Sequence, residues 1–441
     1  MAEAIVSAVM DQLTSVFLKE LEQEVRLVVG VRKEKEKLDD QLNLIKAVLE
    51  DAEKKEIHDD GLSVKVWLGQ LKDVMYDAED VLDEWNTRIL ISANGPHVAN
   101  RLTCLRTLNL SSHYLEVLPS EVSRLLHLRY LDLSDNPRLK ELPETVRSLV
   151  NLQTLKLNYC SRLCKLPEGI GELSNLRHLE VENTDIKYYP RGGIERLSQL
   201  RTLSKFVVSD GSRKGSVIGE LGNLNSLKGS LVIEELRHVK SVKEAKQAEL
   251  EKKKNISRLV LNFGYKEYEQ DVFHVGSEEE IRRMEGVLEN LEPHKESLER
   301  LEIFFYVGST LPTWMPNITY LVLSYCPNLK VEPHYLFPPR LESLELWYDV
   351  GVLSKSLMSL THNNNLRTLQ IWCYPHSSLP QGLSQFTSLK ELSFQVCLSL
   401  DFKPEELKPL TMLRKLDIRG CSDRTREEDW SILTHIPNIE I

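Results

Sequence analysis

The chain has 441 residues, a formal net charge of -10, 41% hydrophobic and 28% charged residues. That composition excludes a disordered or fibrous chain and allows about two or three soluble domains. The acidic balance argues against a general nucleic-acid binder, which needs Lys and Arg in clustered excess. No run of about 18 apolar residues marks a membrane span. The N-terminal stretch MAEAIVSAVMDQLTSVFLKELEQ has no basic start, and Asp11 and Glu20 interrupt its apolar residues, so it does not read as a secretory signal. Seven unclustered cysteines suit a reducing, intracellular compartment. The sequons at Asn109, Asn255 and Asn317 are then chance matches.

The first elements in chain order are helical. Ile5, Val9, Leu13, Val16 and Phe17 share one helical face over residues 3–20. Over 22–53, Val28, Val31, Leu38, Leu42, Ile45, Leu49 and Ala52 follow a three-four alternation, the seam of a bundle or coiled coil, with Lys35 intruding. After HDDGLS a third helix is predicted over 62–90, with Val64, Trp67, Leu68, Leu71, Val74, Met75, Ala78, Val81, Leu82 and Trp85 on its apolar face. Three such helices can bury their stripes against each other or a partner. Glu79, Asp80, Asp83 and Glu84 make one acidic patch on the opposite side. It reads either as a solvated face or as a surface for a cationic partner.

From residue 102 the pattern changes to a repeat. Leu-x-x-Leu-x-Leu starts at Leu105, Leu128, Leu152, Leu176 and Leu200, then at Leu298, Ile318, Leu341, Leu366, Leu389, Leu413 and Ile436. This period is that of leucine-rich repeats. Each unit offers a short strand whose last apolar pair, such as Leu131 and Leu133, faces in, while Tyr130 and Asp132 face out. One unit cannot bury its apolar side alone; stacking gives a parallel sheet on the concave side of a horseshoe. The predicted fold is therefore α plus α/β solenoid, a helical bundle over 1–91, a linker at 92–101 and repeats over 102–441. Residues 204–297 are less regular. There GSLVIEEL (229–236) and ISRLVLNF (256–263) read as strands, 278–294 as an outer helix, and about 265–277 as a polar insertion.

Cys160, Cys326, Cys397 and Cys421 lie three residues after the last strand apolar residue, the register that Asn136 holds in its own unit. There a small polar group can satisfy backbone as the chain leaves the strand. A metal or redox role is the alternative, but CSRLC (160–164) lacks zinc-knuckle spacing and a nearby His. No nucleophile elbow, HExxH or paired-carboxylate motif occurs, and His58, His178 and His274 sit in unrelated contexts, so neither enzyme chemistry nor a metal is expected.

The stretch AVLEDAEKKEIHDDGLSVKVWLGQLKDVMYDAEDVLDEW (47–85) resembles the N-terminal coiled-coil domain of plant intracellular nucleotide-binding leucine-rich-repeat disease resistance proteins, of Rx type. Glu79, Asp80, Val81, Leu82, Asp83, Glu84 and Trp85 match that family's acidic EDVID-type motif. LRYLDLS, LPETVRSLVNLQTLKLNYC, KLPEGIGELSNLRHL and VLENLEPHKESLERLEIFFYVGSTLPTWM resemble its repeats. The family carries an ATP/ADP-binding switch domain between the two parts. Its phosphate cradle, G-x-x-x-x-G-K-[ST], is absent here; GSRKGSV (211–217) has the wrong spacing. The family's fourth coiled-coil helix would follow residue 90 and is not seen, so the resemblance makes 92–101 either an internal-deletion junction or the join of a natural coiled-coil–repeat gene product. No cofactor is therefore expected, and no nucleotide-driven switching.

The resemblance implies a defence protein that recognises host or pathogen proteins through its repeats, and full-length receptors or host cofactors through its helices. It would act as a truncated receptor, helper or decoy, in the cytoplasm with nuclear or membrane-associated pools. A non-immune repeat scaffold or adaptor and a degenerate resistance-gene product are the alternatives. In the family the acidic motif docks on an arginine cluster of the repeats; here Arg106, Arg129, Arg177 and Arg201 hold the second repeat position, with Gln153 breaking the row. The expected ligand surface is Tyr130, Asp132, Lys156, His178 and Glu180, then Tyr320, Trp347, Trp372 and Lys390, with Tyr348 and Tyr374 as further aromatic anchors. MAEAIVSAV partly resembles the helix that some members insert in membranes: Val6, Ser7, Leu13 and Glu20 fit, Ala8 and Gln12 do not. Membrane contact is expected only if that helix is released from core packing.

Overall fold

In the computed structural model, residues 105–211, 213–264, 277–315, 317–330, 337–361 and 363–441 are described. The expected helical domain with its acidic motif, the 92–101 junction and nearly all of the 265–277 insertion lie outside them.

Each regular unit yields one strand. β1 (Thr107–Asn109), β2 (Tyr130–Asp132), β3 (Thr154–Lys156), β4 (His178–Glu180) and β5 (Thr202–Leu203) pair in chain order, all parallel. A second parallel sheet continues the coil. Its strands are β6 (Phe206–Val207), β7 (Lys228–Glu234), β8 (Asn255–Asn262), β9 (Arg300–Phe304) and β10 (Tyr320–Ser324). They are followed by β11 (Ser343–Trp347), β12 (Thr368–Trp372), β13 (Glu391–Gln395), β14 (Lys415–Arg419) and β15 (Asn438–Glu440). The two less regular stretches read as strands are β7 and β8. A parallel neighbour requires the chain to return along the outside, which sets the repeat length.

Alternation places the leucines. Leu131, Leu133, Leu155, Leu157, Leu344 and Leu346 are all buried, and the apolar core runs continuously from Leu105 to Ile436. In the first sheet three of the return paths are 3-10 turns, Ser120–Arg124, Glu144–Ser148 and Glu168–Glu172, entered from Pro119, Pro143 and Pro167. Proline suits that place because its fixed φ starts a turn and its missing N–H has no partner to lose. Val122, Val146 and Ile170 pin these turns to the core. Glu144 ties one turn to the next by accepting from the Glu168 and Gly169 amides, at 2.9 and 3.3 Å.

The join between the sheets falls inside one unit, at Ser204 and Lys205. Ser204 Oγ accepts the Val181 amide at 2.8 Å, replacing a ladder bond. Tyr189 closes the core below. Its hydroxyl donates to the Lys205 carbonyl at 2.6 Å, and its ring stacks on Phe206 with centroids 5.8 Å apart. In the irregular stretch, α1 (Val242–Lys246) packs against α2 (Glu278–Glu289). Ser277 caps α2 by accepting the Glu280 amide, and Glu278, Glu279 and Glu280 suit its positive end. Met284, Val287 and Leu288 form its buried face.

The asparagine/cysteine column behaves as its spacing implies. Asn136 Nδ2 donates to the carbonyls of Leu110, Leu133 and Ser134, at 2.9, 2.8 and 3.2 Å. The Cys160 thiol reaches the Leu133 carbonyl at 3.1 Å, and Cys397 that of Gln395 at 3.3 Å.

Candidate protein-binding surface

The outward side chains of the strands form the concave face, and the residue before each strand forms its rim. Backbone hydrogen bonds fix the rim register. The amides of Arg129, Gln153, Arg177 and Arg201 donate to the carbonyls of Arg106, Arg129, Gln153 and Arg177, at 2.6, 2.7, 2.7 and 2.7 Å. The sequence-derived ladder is therefore contiguous in space, with rungs about 4.8 Å apart. It also has a rung that the repeat count missed: the Lys228 amide donates to Arg201 at 2.8 Å. Arg106 is exposed, whereas Arg129, Arg177, Arg201 and Lys228 are half-buried. All five residues are engaged in polar, ring or electrostatic contacts. Burial lowers the pKa of Arg201. The acidic motif, Glu79 to Trp85, lies outside the described residues.

On the face itself the early candidate residues are tied to one another. Lys156 Nζ lies 3.5 Å from Glu180 and 5.9 Å from the centre of the Tyr130 ring. His178 Nδ1 lies 3.1 Å from Thr202 Oγ1. Asp132 needs a correction: strand parity turns it outward, yet it is buried, at 9% exposure. Its carboxylate accepts the Ser134 amide at 2.9 Å and the Tyr130 hydroxyl at 3.1 Å. It fixes the strand end and offers little to a ligand.

The later face is a fused network. Glu302, nearly buried, accepts from Arg258 Nε and Arg300 Nε at 2.7 and 2.6 Å. Two guanidinium groups on one carboxylate satisfy what burial would otherwise leave costly. The Arg300 guanidinium lies 3.8 Å from the centre of the Tyr320 ring. Tyr320 donates to Glu345, whose second oxygen accepts Trp347 Nε1 at 2.9 Å. Burial, with Glu345 beside it, pushes the Tyr320 phenol up to about 12, so it stays protonated and donating. Beyond it stand the aromatics: Phe304 meets Trp347 edge-on at 6.4 Å, and Trp347 lies 5.4 Å from Trp372, tilted by 35°. Trp347 and Trp372 thus pack together as partly exposed neighbours in consecutive strands. Tyr374, expected among the anchors, is instead in the core.

Sequence reading missed a second aromatic row. Phe305, Tyr325 and Tyr348 occupy one position in successive units, with ring centroids 5.1 and 3.9 Å apart and interplanar angles of 13° and 17°. Each has left-handed backbone, with φ of 57°, 51° and 62°. The signal was present as IFF, LSY and LWY at equivalent strand ends. Among the described residues no group of three or more His, Cys, Asp or Glu could hold a metal, and no helix is long and apolar enough to cross a membrane.

Comparison with known proteins places this surface in context. Residues 5–110 match the family described as Rx N-terminal domain, 103–161 that described as leucine rich repeat, and 218–348 that described as R13L1/DRL21 LRRs. The disease resistance-named protein RGA1 of Solanum bulbocastanum is 43% identical over 320 residues, covering 70% of this chain and 31% of that protein. Disease resistance protein RGA2 of the same species is 36% identical over 241 residues, covering 49% of this chain and 23% of its own length. This chain thus spans under a third of either relative. Among solved structures, a leucine-rich-repeat protein of Leptospira interrogans matches at a TM-score of 0.44 and 20% identity, over 77% of this chain and 85% of its own.

Proposed function

Because the chain belongs to the plant disease resistance proteins that join an Rx N-terminal domain to leucine-rich repeats, we propose that it works in defence by gripping proteins, as a truncated receptor, helper or decoy. The repeats take a host or pathogen protein, and the helical domain takes a full-length receptor or a host cofactor. No catalytic step and no nucleotide enter this reading, since the chain carries no phosphate-cradle motif. Isothermal titration of the purified chain with Mg-ATP and Mg-ADP is expected to show no tight binding; tight, magnesium-dependent capture overturns the nucleotide-free reading.

The observation that carries the proposal is the contiguous rim Arg106–Arg129–Gln153–Arg177–Arg201. It supports a docked arrangement in which Glu79, Asp80, Asp83 and Glu84 lie along the arginines. Planar guanidinium groups can take carboxylates through two hydrogen bonds. A single exposed pair contributes about 0–1 kcal/mol, so several pairs must act together, helped by a short connection that raises effective concentration. A double-mutant cycle on Asp80 and Arg129, read by denaturant unfolding, is expected to give a coupling on the order of 1 kcal/mol. Strict additivity removes the pairing and leaves the arginine rim to an external acidic partner.

A further inference from the structure

The rim that carries the arginines in the first sheet becomes basic again at the far end of the second. Hydrogen bonds continue the same register: the Arg367 amide donates to Glu342, Lys390 to Arg367 and Arg414 to Lys390, at 2.8, 2.7 and 2.8 Å. Between the two basic stretches the rim runs through Ser257, Glu299, Thr319 and Glu342 and carries no cation. Arg367 and Arg414 are exposed and Lys390 half-buried. None of the three side chains makes an ion pair or a side-chain hydrogen bond among the described residues. Lys415, at the start of β14, adds a fourth positive charge beside them.

Next to this rim the concave face is hollowed. A cavity of about 250 Å³ crosses β12, β13 and β14; its lining is mostly polar and includes Trp372, Ser393, Lys415, Glu391, Asp417 and Arg419. Trp372 Nε1 is buried and has no hydrogen-bond acceptor among the described residues. The opposing charges are few. Glu391 stands on β13, while Asp417 and Glu440 are both paired with Arg419.

We propose that Arg367, Lys390 and Arg414 are a second docking rim, separate from the first, for an acidic amphipathic helix of another protein whose apolar side chain enters the cavity against Trp372. Spacing selects a helix. Three rungs span about 9.6 Å at the sheet spacing of about 4.8 Å. Carboxylates at i, i+3 or i+4, and i+7 of a helix span about 10.5 Å, at about 1.5 Å per residue. Three same-face residues of an extended strand span about 13 Å and fall out of register. A helix body of about 10–12 Å lying along the rim also reaches over the cavity. A cationic rim beside a polar-walled hollow with Trp372 in its lining complements carboxylates on one helical stripe and a single apolar residue on the next, placed against the indole.

The test uses the full chain and a fluorescein-labelled designed peptide unrelated to this chain, an alanine-rich helix former with Glu at i, i+4 and i+7 and one Leu on the adjacent stripe. Polarisation titrations compare wild type, Arg367→Glu/Lys390→Glu/Arg414→Glu, Arg367→Gln/Arg414→Gln, and Arg129→Glu/Arg177→Glu, each first shown by circular dichroism to melt as wild type does. The charge reversal at the second rim is expected to weaken the probe at least 10-fold and the glutamine pair several-fold. The Arg129/Arg177 variant is expected to retain binding. Affinity should fall as salt rises from 50 to 300 mM, and a probe with its glutamates replaced by glutamines should not bind. The proposal is overturned by an absent wild-type signal, or by loss confined to the Arg129/Arg177 variant, which would assign the probe to the first rim alone. Light scattering that shows a dimer abolished by the second-rim reversal would give the rim to a second copy and overturn it equally.

Discussion

In the first sheet the strands are two or three residues long, and three of the return paths are near-identical 3-10 turns entered from proline. In the second sheet, from β7 to β14, they lengthen to between five and eight residues. The sharpest contrast lies two residues after the last inward apolar side chain of each strand, where most units turn left-handed. The first sheet places Ser112, Asp135, Tyr159 and Asn183 there, the second Phe305, Tyr325, Tyr348, Cys373, Val396 and Gly420. Ser, Asp and Asn tolerate that conformation by local hydrogen bonding; bulky and β-branched residues do not, at about 1–2 kcal/mol each. The first sheet has one such residue, Tyr159, and the second has Phe305, Tyr325, Tyr348 and Val396, so the second carries more backbone strain, on the side where it presents its aromatic rows. Such strain accumulates where a surface is selected for contact rather than for stability. The first sheet reads as a regular platform, the second as a working face.

The largest effect should come from the seam. Tyr189→Ala removes a fully buried ring that packs on Phe206 and covers the change of sheet. Loss of about 3–5 kcal/mol is expected from the cavity alone. Repeat arrays are held by nearest neighbours, so weakening one interface should uncouple the two sheets. Hydrogen exchange is then expected to show β1–β5 losing protection before β7–β14, where wild type loses both together. Tyr189→Phe keeps the ring and strips only the donor from the Lys205 carbonyl, costing about 1 kcal/mol. A Tyr189→Ala protein whose sheets still exchange together would show the seam to be no boundary at all.

The platform was the more legible part of the sequence. Its leucines recur at a period that only stacking satisfies, and its arginines share one repeat position, so strand, core and rim follow from spacing. Lys228 was hidden because its unit follows Arg201 at an irregular interval. Arg367 and Arg414 were visible in LRTLQI and LRKLDI, yet gained meaning only once hydrogen bonds placed them beside Lys390. The working face was harder to read because parity fails at strand ends. After Trp372 the chain turns left-handed at Cys373, which swings Tyr374 into the core. Asp132 points outward by parity but spends its oxygens on Ser134 and Tyr130. No local residue preference announces Phe, Tyr or Val in a left-handed turn.

The irregular stretch beside the seam offers the next test. Lys253 is buried, with Nζ 3.3 Å from Asn225 Oδ1, and burial pushes its ammonium down to about 8 from an ordinary 10.5. Below pH 8 both folded and unfolded chains hold the proton, and the folded state bears the full cost of desolvation. Between 8 and 10.5 the unfolded chain binds more protons, so this residue's contribution to stability rises with pH. Lys253→Met should stabilise at pH 7 by on the order of 1–3 kcal/mol and gain little near pH 10.5. Urea midpoints across pH 6–10.5 check this. A variant that keeps the wild-type rise above pH 8 would place that titration on another group.

The smallest effect goes back to the left-handed column. Val396 has φ of 56° and is 49% exposed, while Gly420 holds the same place in the next unit with φ of 64°. Val396→Gly relieves about 1–2 kcal/mol of left-handed strain and gives back about 0.5–1 kcal/mol in chain entropy. A net gain of about 0.5–1 kcal/mol is expected, seen as a modest rise in Tm. Asn183→Gly, its counterpart in the first sheet with φ of 53°, should change stability by only a few tenths, because asparagine already tolerates the conformation. Gly420→Val should cost at least what Val396→Gly returns, since its Cβ would sit 3.3 Å from Val396 Cα. If the glycine substitutions at 396 and 183 behave alike, the second sheet is not the strained half, and its aromatics need another explanation.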